Sequence, residues 1–331
     1  MARYGVRKFA WLRTFLELPN GIPSHDTFNR VFALLDPAAL QQGFQNWRQT
    51  LVEATTGRLV AIDGKTLRPA FDTADGKGAL HLVSAWATAN RLTLGQYAVD
   101  CKSNEITAIP ELVKMLDLSG AIVTIDAMGC QKAIAAQLDD AGADYVLALK
   151  ENQETLYDDV QQVFLDGLEN DFAAIEHHEY QTVDEDHGRV ATRTYHVVAV
   201  PEELRQRHPD WQGLRSLGMV FRERQVGQAE ATCATRFFIN SLPPKVKTFA
   251  RAVRGHWGIE NSLHWVLDIS FREDESRLRK DHGPENLALL RRLAASLLQN
   301  EGTSKGGVAC KRKEAGWDNG YLLKVLGANL T

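Results

Sequence analysis

Two apolar runs that each end in an aspartate constrain this chain more than any other feature. The run LVAI at 59–62 leads into Asp63, and the run AIVTI at 121–125 leads into Asp126. Short runs of this kind predict strands that are buried on both faces of a sheet. An aspartate before glycine is also common turn chemistry, so each residue alone says little. Together they predict a sheet that carries a carboxylate at the ends of two buried strands.

The segments around these two runs supply the rest of a sheet. Strand patterns at 80–86 and 92–99 are separated by a hairpin-like turn, and helical stripes follow at 105–116 and 131–138. With a last buried strand at 144–149, the order is β-β-β-α-β-α-β, a mixed sheet flanked by helices. This is the element order of the ribonuclease H-like α/β fold. That fold sets its first and fourth strands side by side, which implies that Asp63 and Asp126 are neighbours.

Changes of pattern along the chain predict five regions. They are a helical N-terminal region at 1–56, the first part of the ribonuclease H-like core at 57–170, a β-rich insertion at 171–242, a helical completion of the core at 243–300, and a basic C-terminal tail at 301–331. The insertion is inferred from strand patterns around Asp186-His187-Gly188, a strong hairpin signal. A helical period returns afterwards and carries Glu260.

Composition narrows the class of protein. No stretch of about 20 apolar residues is present, and the first residues lack the apolar segment of a signal peptide, so we expect a cytoplasmic protein without membrane contact. The four cysteines are too far apart for zinc-type pairing and are expected to be free thiols. Residues 245–331 hold 15 Lys/Arg against 10 Asp/Glu, whereas residues 151–210 hold 4 against 15. The basic part is either a surface for phosphates or an ordinary solvated surface.

Several motifs, in order along the chain, resemble the DDE transposases of bacterial insertion sequences. They are IPSHDTFNRVF at 22–32, AIDGKTLR at 61–68, VTIDAMGCQ at 123–131, ADYVLALKENQ at 143–153, HWGIENSLHWVLDISFRED at 256–274 and KRKEAGWDNGYLLKVL at 311–326. The closest branch is the ISAs family, which includes the H-repeat-associated proteins. Members usually carry further residues before the matched part, so this chain is expected to be either an N-terminally truncated or a misannotated copy.

The resemblance implies a catalytic triad of Asp63, Asp126 and Glu260 that holds two Mg²⁺ ions, for which Mn²⁺ can substitute. Three oxygen ligands suit Mg²⁺ better than a His/Cys site would. Two such ions can stabilise both the attacking and the leaving oxygen of a phosphodiester. By position alone, the rival third ligands are Asp268, Glu273, Asp274 and Glu275.

The resemblance also implies a reaction and partners. The reaction is metal-dependent cleavage and strand transfer of an insertion sequence, with transposon ends and target in double-stranded DNA. The protein is expected to act as a homodimer on DNA and to be associated with the bacterial nucleoid. Two alternatives remain at this point, a ribonuclease H-like nuclease that only cuts and an inactive DNA-binding remnant.

Basic residues near the motifs are candidate phosphate contacts. They are Lys65, Arg68, Lys150, Arg254, Arg277, Arg279, Lys280, Arg291 and Arg292. Lys150 is the best placed because it directly follows a core strand, and a solvated charge is the simpler interpretation of any single one.

Two histidines and two tryptophans complete the candidates. His256 stands where relatives outside this branch carry an arginine. His264 lies four residues after Glu260, on one predicted helix face with it, and either contacts DNA or orients the carboxylate. Trp257 and Trp265 are interpreted as core residues rather than as rings on which an unpaired DNA base stacks.

Overall fold

The structure, a computed structural model, describes residues 1–49, 58–67, 79–99, 104–173, 175–186 and 188–327. The α-helices are α1 (Ala2–Arg7), α2 (Phe9–Leu12), α3 (His25–Leu34), α4 (Pro37–Gln49), α5 (Glu105–Lys114), α6 (Lys132–Asp140), α7 (Glu154–Glu169), α8 (Glu202–Arg207), α9 (Val246–Ile259), α10 (Trp265–Phe271), α11 (Gly283–Asn300), α12 (Val308–Trp317) and α13 (Asn319–Gly327). The strands are β1 (Leu59–Leu67), β2 (Leu80–Ala87), β3 (Leu92–Val99), β4 (Ile122–Ile125), β5 (Asp144–Leu149), β6 (His177–Asp186), β7 (Arg189–Ala199), β8 (Ser216–Val226) and β9 (Thr232–Asn240). A π-helix, Glu260–His264, joins α9 to α10, and short 3₁₀ helices span Glu151–Gln153 and Glu273–Glu275.

All these strands form one sheet in the order β3-β2-β1-β4-β5-β9-β8-β7-β6. β1 and β4 are parallel neighbours, with Ile62 opposite Ile125, and β4 is parallel to β5. The other pairs are antiparallel. The expected adjacency of the first and fourth strands is confirmed, and the fold is a ribonuclease H-like mixed sheet flanked by helices.

The strands of the predicted insertion extend the core sheet. β9 pairs with β5, with Leu147 opposite Ile239, and β8, β7 and β6 follow outward. Asp186 pairs with Arg189 where β6 turns into β7. His187 at this turn lies outside the described residues, and the division of the chain into domains stays a prediction.

The alternation of side chains in β1 explains how helices cover both faces of the sheet. Val60 and Ile62 belong to the apolar cluster formed with α5, α6 and α7. Leu59 packs instead in the cluster that contains α9, and Ala61 in the one that contains the π-helix and α10. Since side chains alternate with a period of two, Asp63 projects on the same face as α9.

α9, the π-helix and α10 form one continuous helix that lies close to the sheet. A Cβ atom on Gly255 would stand 2.0 Å from a methyl group of Leu59 in β1, and one on Gly218 in β8 would stand 2.4 Å from the ring of Phe249. Only the absence of side chains at these two positions allows the backbones to approach so closely. The glycines therefore fix the height of the helix above β1 and β8.

The C-terminal region is helical and packed. α12 and α13 bury Ala315, Tyr321 and Val325 against Leu297 and Leu298 of α11. The sequence pattern had indicated only a basic tail, because its many lysines and glycines mask a short apolar stripe.

The structure also describes the cysteines and the apolar character of the helices, on which two expectations were based. Cys130, Cys233 and Cys310 are free thiols, as expected, while Cys101 lies outside the described residues. Among the described helices none is both long enough and apolar enough to cross a membrane.

The close approach of α9 to β1 gives a stability prediction. Gly255→Ala should lower the free energy of unfolding by about 1–3 kcal/mol, because the added methyl group overlaps the buried Leu59 side chain. Gly316→Ala in α12 is the matched control, since its Cβ meets nothing within 4 Å. That control should be neutral or stabilising by up to about 1 kcal/mol. Urea unfolding of the two variants measures the difference, and equal effects would contradict the packing described here.

Candidate functional site: a carboxylate centre under the π-helix

Asp63 and Asp126 lie side by side where the parallel pairing of β1 with β4 ends. The expectation that Asp63 ends its strand is wrong, because β1 continues past it to Leu67 in its pairing with β2. Asp63 directly follows Ile62, the partner of Ile125, and Asp126 directly follows Ile125. The face of Asp126 is set by the same alternation, since Thr124 two residues earlier hydrogen-bonds through Oγ1 to Nδ1 of His256 in α9 at 3.0 Å. Both carboxylates therefore lie next to each other just beyond the last β1–β4 pair, on the face that α9 covers.

Glu260 approaches these two carboxylates from the overlying helix. It is the first residue of the π-helix, and ligand atoms of Asp63, Glu260 and His264 all lie within 4.8 Å of one another. Nδ1 of His264 stands 3.6 Å from Oδ2 of Asp63 and 3.5 Å from Oε2 of Glu260. His264 is buried, so the structure favours its orienting Glu260 over its contacting DNA.

One cavity of about 330 Å³ collects the candidate catalytic residues. It is lined by Asp63, Asp126 and Glu260 together with Lys150 and His256 from the predicted phosphate-binding set. The rival acidic residues are engaged elsewhere. Asp268 and Asp274 contact Lys65, Glu273 pairs with Arg292, and Glu275 pairs with Arg272.

The neighbouring carboxylates shift the pKa values of Asp63 and Glu260 in opposite directions. Burial, followed by the negative charge of Glu260, raises the pKa of Asp63 to about 8, and Asp126 adds to the effect. The hydrogen bond with His264 lowers the pKa of Glu260. The proton between the two acids is therefore held by Asp63 near neutral pH. Such mutual repulsion is relieved either by a proton or by a cation.

Asp126 is held by its own loop. Its Oδ1 accepts hydrogen bonds from the backbone N–H groups of Met128 at 3.1 Å and Gly129 at 3.3 Å. Burial raises the pKa of Asp126, and the neighbouring Glu105 contributes to the increase. The loop leaves the second carboxylate oxygen available to a ligand in the cavity.

A fourth carboxylate near the centre was not foreseen from the sequence. Glu105 begins α5 and hydrogen-bonds to Nε2 of His81 at 2.6 Å, and Nδ1 of that ring bonds to Thr66 at 2.7 Å. The signal was available, because β3 runs parallel to β1 in this strand order and the helix after it must start at the same sheet edge.

The donor set fits divalent metal ions. All three predicted ligands offer carboxylate oxygens, which hard cations prefer, and their charges are too close to be ionised together without compensation. The roles of these residues as metal ligands stay a prediction.

Two of the predicted phosphate contacts already have acidic partners. Lys65 is 9% exposed and donates to both carboxylate oxygens of Asp268 at 2.7 and 2.8 Å. Arg254 is exposed on α9 and lies 3.0 Å from Asp184. The charge of Lys65 in particular is neutralised by Asp268, so this residue is a poor phosphate contact.

The other predicted contacts fall into different places. Lys150 is exposed at the carboxylate cavity, whereas Arg277 and Lys280 are exposed in the segment before α11, outside that cavity. Arg68 lies outside the described residues. His256 is near the carboxylates, but burial lowers its pKa to about 4 and leaves the ring neutral at pH 7. It therefore does not replace the positive charge of an arginine.

Three expectations about single residues were wrong. Arg292 is fully buried and paired with Glu273, so it cannot contact phosphate. Trp257 and Trp265 are 42% and 59% exposed rather than core residues. Trp257 lines the carboxylate cavity and lies under the guanidinium of Arg236, 5.0 Å from it.

A ribonuclease H-like sheet with one acidic residue on its first strand and another directly after its fourth defines a class of proteins that act on nucleic acids with metal ions. Comparison with known proteins narrows this class. The family model described as "Transposase DDE domain" matches residues 54–298, and the one described as "DDE_Tnp_1-associated" matches residues 1–48. The chain belongs to the DDE transposase family, in its H-repeat-associated branch. Membership implies a DNA substrate and the use of divalent metal.

Relatives match along nearly the whole chain. "Putative transposase YncI" of Escherichia coli O157:H7 is 40% identical over 98% of this chain and 83% of its own length. "Putative protein YbfL" of Escherichia coli K12 is 38% identical, and "H repeat-associated putative transposase YhhI" of the same strain is 37% identical, each over 98% of this chain and 86% of its own length.

The raised pKa of Asp63 predicts how stability depends on pH. With metal removed by EDTA, the folded state keeps a proton on Asp63 up to about pH 8, whereas the unfolded chain releases it near pH 4. The free energy of unfolding should therefore fall as pH rises between these values. Asp63→Asn should flatten this decline between pH 5.5 and 8.5, with a Tm difference of about 1–2 °C for each kcal/mol recovered.

Thermal denaturation with EDTA measures this effect. Glu111→Gln is the control, because Glu111 forms only an exposed ion pair with Lys114 and should leave the decline in place. A decline that persists unchanged in Asp63→Asn would show that the carboxylate centre is not its source.

Proposed function

We propose that this protein is a DNA transposase that cleaves and joins strands of an insertion sequence with a triad of Asp63, Asp126 and Glu260. The observation that carries the proposal is their convergence in one cavity beside the point where the β1–β4 pairing ends, beneath the π-helix. The family match supports the same assignment. No protein nucleophile is required, because water or a DNA 3′-hydroxyl attacks the phosphate.

The three carboxylates are the proposed ligands of two Mg²⁺ ions, for which Mn²⁺ can substitute. When bound, such ions lower the pKa of the attacking hydroxyl and stabilise the leaving oxygen. The protein supplies a set of oxygen donors on rigid elements. Asp63 continues a central strand, and Asp126 is fixed by two backbone N–H groups of its loop.

His264 is proposed as a positioning residue. Its Nδ1 lies between Asp63 and Glu260, and its ring is buried. A hydrogen bond from this ring favours the ionised form of Glu260. His264 thus keeps the Glu260 carboxylate ionised and directed toward the sheet, while the cavity remains open to substrate.

The substrate is proposed to be double-stranded DNA, including both transposon ends and the target. Lys150 at the cavity is the proposed contact to a phosphate near the scissile bond. Two ends have to be cut and joined together, so we infer that a homodimer forms on DNA. A cytoplasmic, nucleoid-associated location follows from such a substrate in a bacterium.

Substitution of one acid separates chemistry from binding. Asp126→Asn should lower Mg²⁺-dependent nicking of DNA that carries the sequences flanking the gene by more than about 100-fold, since even outer-shell partners of metal ligands contribute about 10–100-fold. DNA affinity should be retained, because cations provide most of it. Asp158→Asn, on the exposed face of α7, is the matched control.

The products of the same reaction distinguish the three functions under consideration. Cleavage followed by joining to a target plasmid supports a transposase, and cleavage without joining supports a nuclease. Binding without cleavage in the unmodified protein would indicate a remnant. Full nicking activity in Asp126→Asn would rule out the proposed triad.

A further inference from the structure

A second cavity, beside the carboxylate cavity, is lined by several arginines. It has a volume of about 220 Å³, and we call it the arginine cavity; its charged lining residues are Arg193, Arg222, Arg236 and Arg254. The first three come from β7, β8 and β9, and the fourth comes from α9.

Strand alternation explains why these arginines face the same side. Tyr195, Val220 and Phe238 pack in the apolar cluster that contains α9. Each of them stands two residues from an arginine of the cavity on its own strand, so the arginines also point toward α9. The cationic lining is therefore a property of one face of the extended sheet.

The sheet brings like charges together. Arg193 is directly opposite Arg222 in the β7–β8 pair, and Arg236 is diagonal to Arg222 across the β8–β9 pair. Like charges in these positions destabilise an antiparallel sheet. Partial burial and the neighbouring Arg222 lower the pKa of Arg236, and Nε of Arg222 is buried without a hydrogen-bond partner.

Carboxylates balance only part of the positive charge of the arginine cavity. Among the described residues, the only carboxylate that forms ion pairs with this set is Asp184, whose Oδ2 contacts both Arg193 and Arg254. Four guanidinium groups and one carboxylate leave an excess of three positive charges. An anion in the cavity would reduce this excess and offer an acceptor to the unpaired donor.

The arginine cavity adjoins the carboxylate centre. Arg236, Val253 and Trp257 line both cavities. Asn261, the residue after Glu260, also lines the arginine cavity. The Trp257 ring supports the guanidinium of Arg236 through a cation–π contact. An anion bound here would lie next to whatever the carboxylates act on.

We propose that the arginine cavity binds a backbone phosphate of the DNA, adjacent to the phosphate at the carboxylate centre. Arginine suits this ligand, since its planar fork donates two parallel hydrogen bonds to phosphate oxygens. The identification of the polyanion as DNA rests on the proposed function, whereas the anion site itself rests on the arginines alone.

The test compares DNA binding by Arg222→Gln and Arg236→Gln with that of the unmodified protein. The probe is a labelled duplex carrying the flanking sequences, in EDTA, over a series of salt concentrations. Each variant should bind about 10-fold more weakly at 0.1 M salt, and the slope of log affinity against log salt should shrink by about 1. Arg205→Gln, which removes an exposed arginine of α8 outside the cavity, should leave both unchanged.

A stability measurement separates a binding role from a structural one. Without anions, Arg222→Gln should have a Tm equal to or higher than that of the unmodified protein, because it removes a like-charge contact. Inorganic phosphate should raise the Tm of the unmodified protein and not that of the variant.

The outcomes are distinct. Protection by phosphate together with the smaller salt slope supports the proposal. Protection by phosphate with unchanged DNA binding would indicate a site for a free anion and overturn the assignment to DNA. A lower Tm with unchanged DNA binding would show a purely structural role. If the salt slope shrinks although the unmodified protein never cleaves DNA, the arginine site stands and the proposed chemistry fails.

Discussion

The rest of the structure depends on the packing of one long helix, made of α9, the π-helix and α10, against the sheet. α9 rests its Phe249 ring over Gly218 of β8 and its Gly255 over Leu59 of β1. These two contacts fix both the height and the direction of the helix. Because the sheet face below carries carboxylates under one part of the helix and arginines under the other, the same seating closes both cavities.

The core of the fold could be predicted from the sequence because its signals are local. Runs such as 59–62 and 121–125 are apolar throughout, as strands buried on both faces must be. Strand alternation then places Asp63 and Asp126 together once the strand order is known. Glu260 could be assigned only through its motif, since the position of a helix over a sheet depends on packing between residues distant in sequence.

Two basic residues were misjudged because the sequence does not show which acidic residue each one contacts. Lys65 reads as a free cation, but its partner Asp268 is 203 residues away, and Arg292 is buried against Glu273. The clustering of the insertion's arginines could not be predicted for a related reason. Arg193, Arg222 and Arg236 stand on three different strands and come together only through strand pairing.

The π-helix at Glu260–His264 has a consequence for how this helix tolerates change. A π-turn holds one residue more than an α-turn over the same rise, so it takes up a one-residue difference in length. Removing that extra residue would restore a regular α-helix while both flanking segments kept their places on the sheet. Only the side chains within the turn would change direction, by a rotation of roughly 100° about the helix axis for each residue removed. The orientation of Glu260 is thus separable from the packing of the helix that carries it.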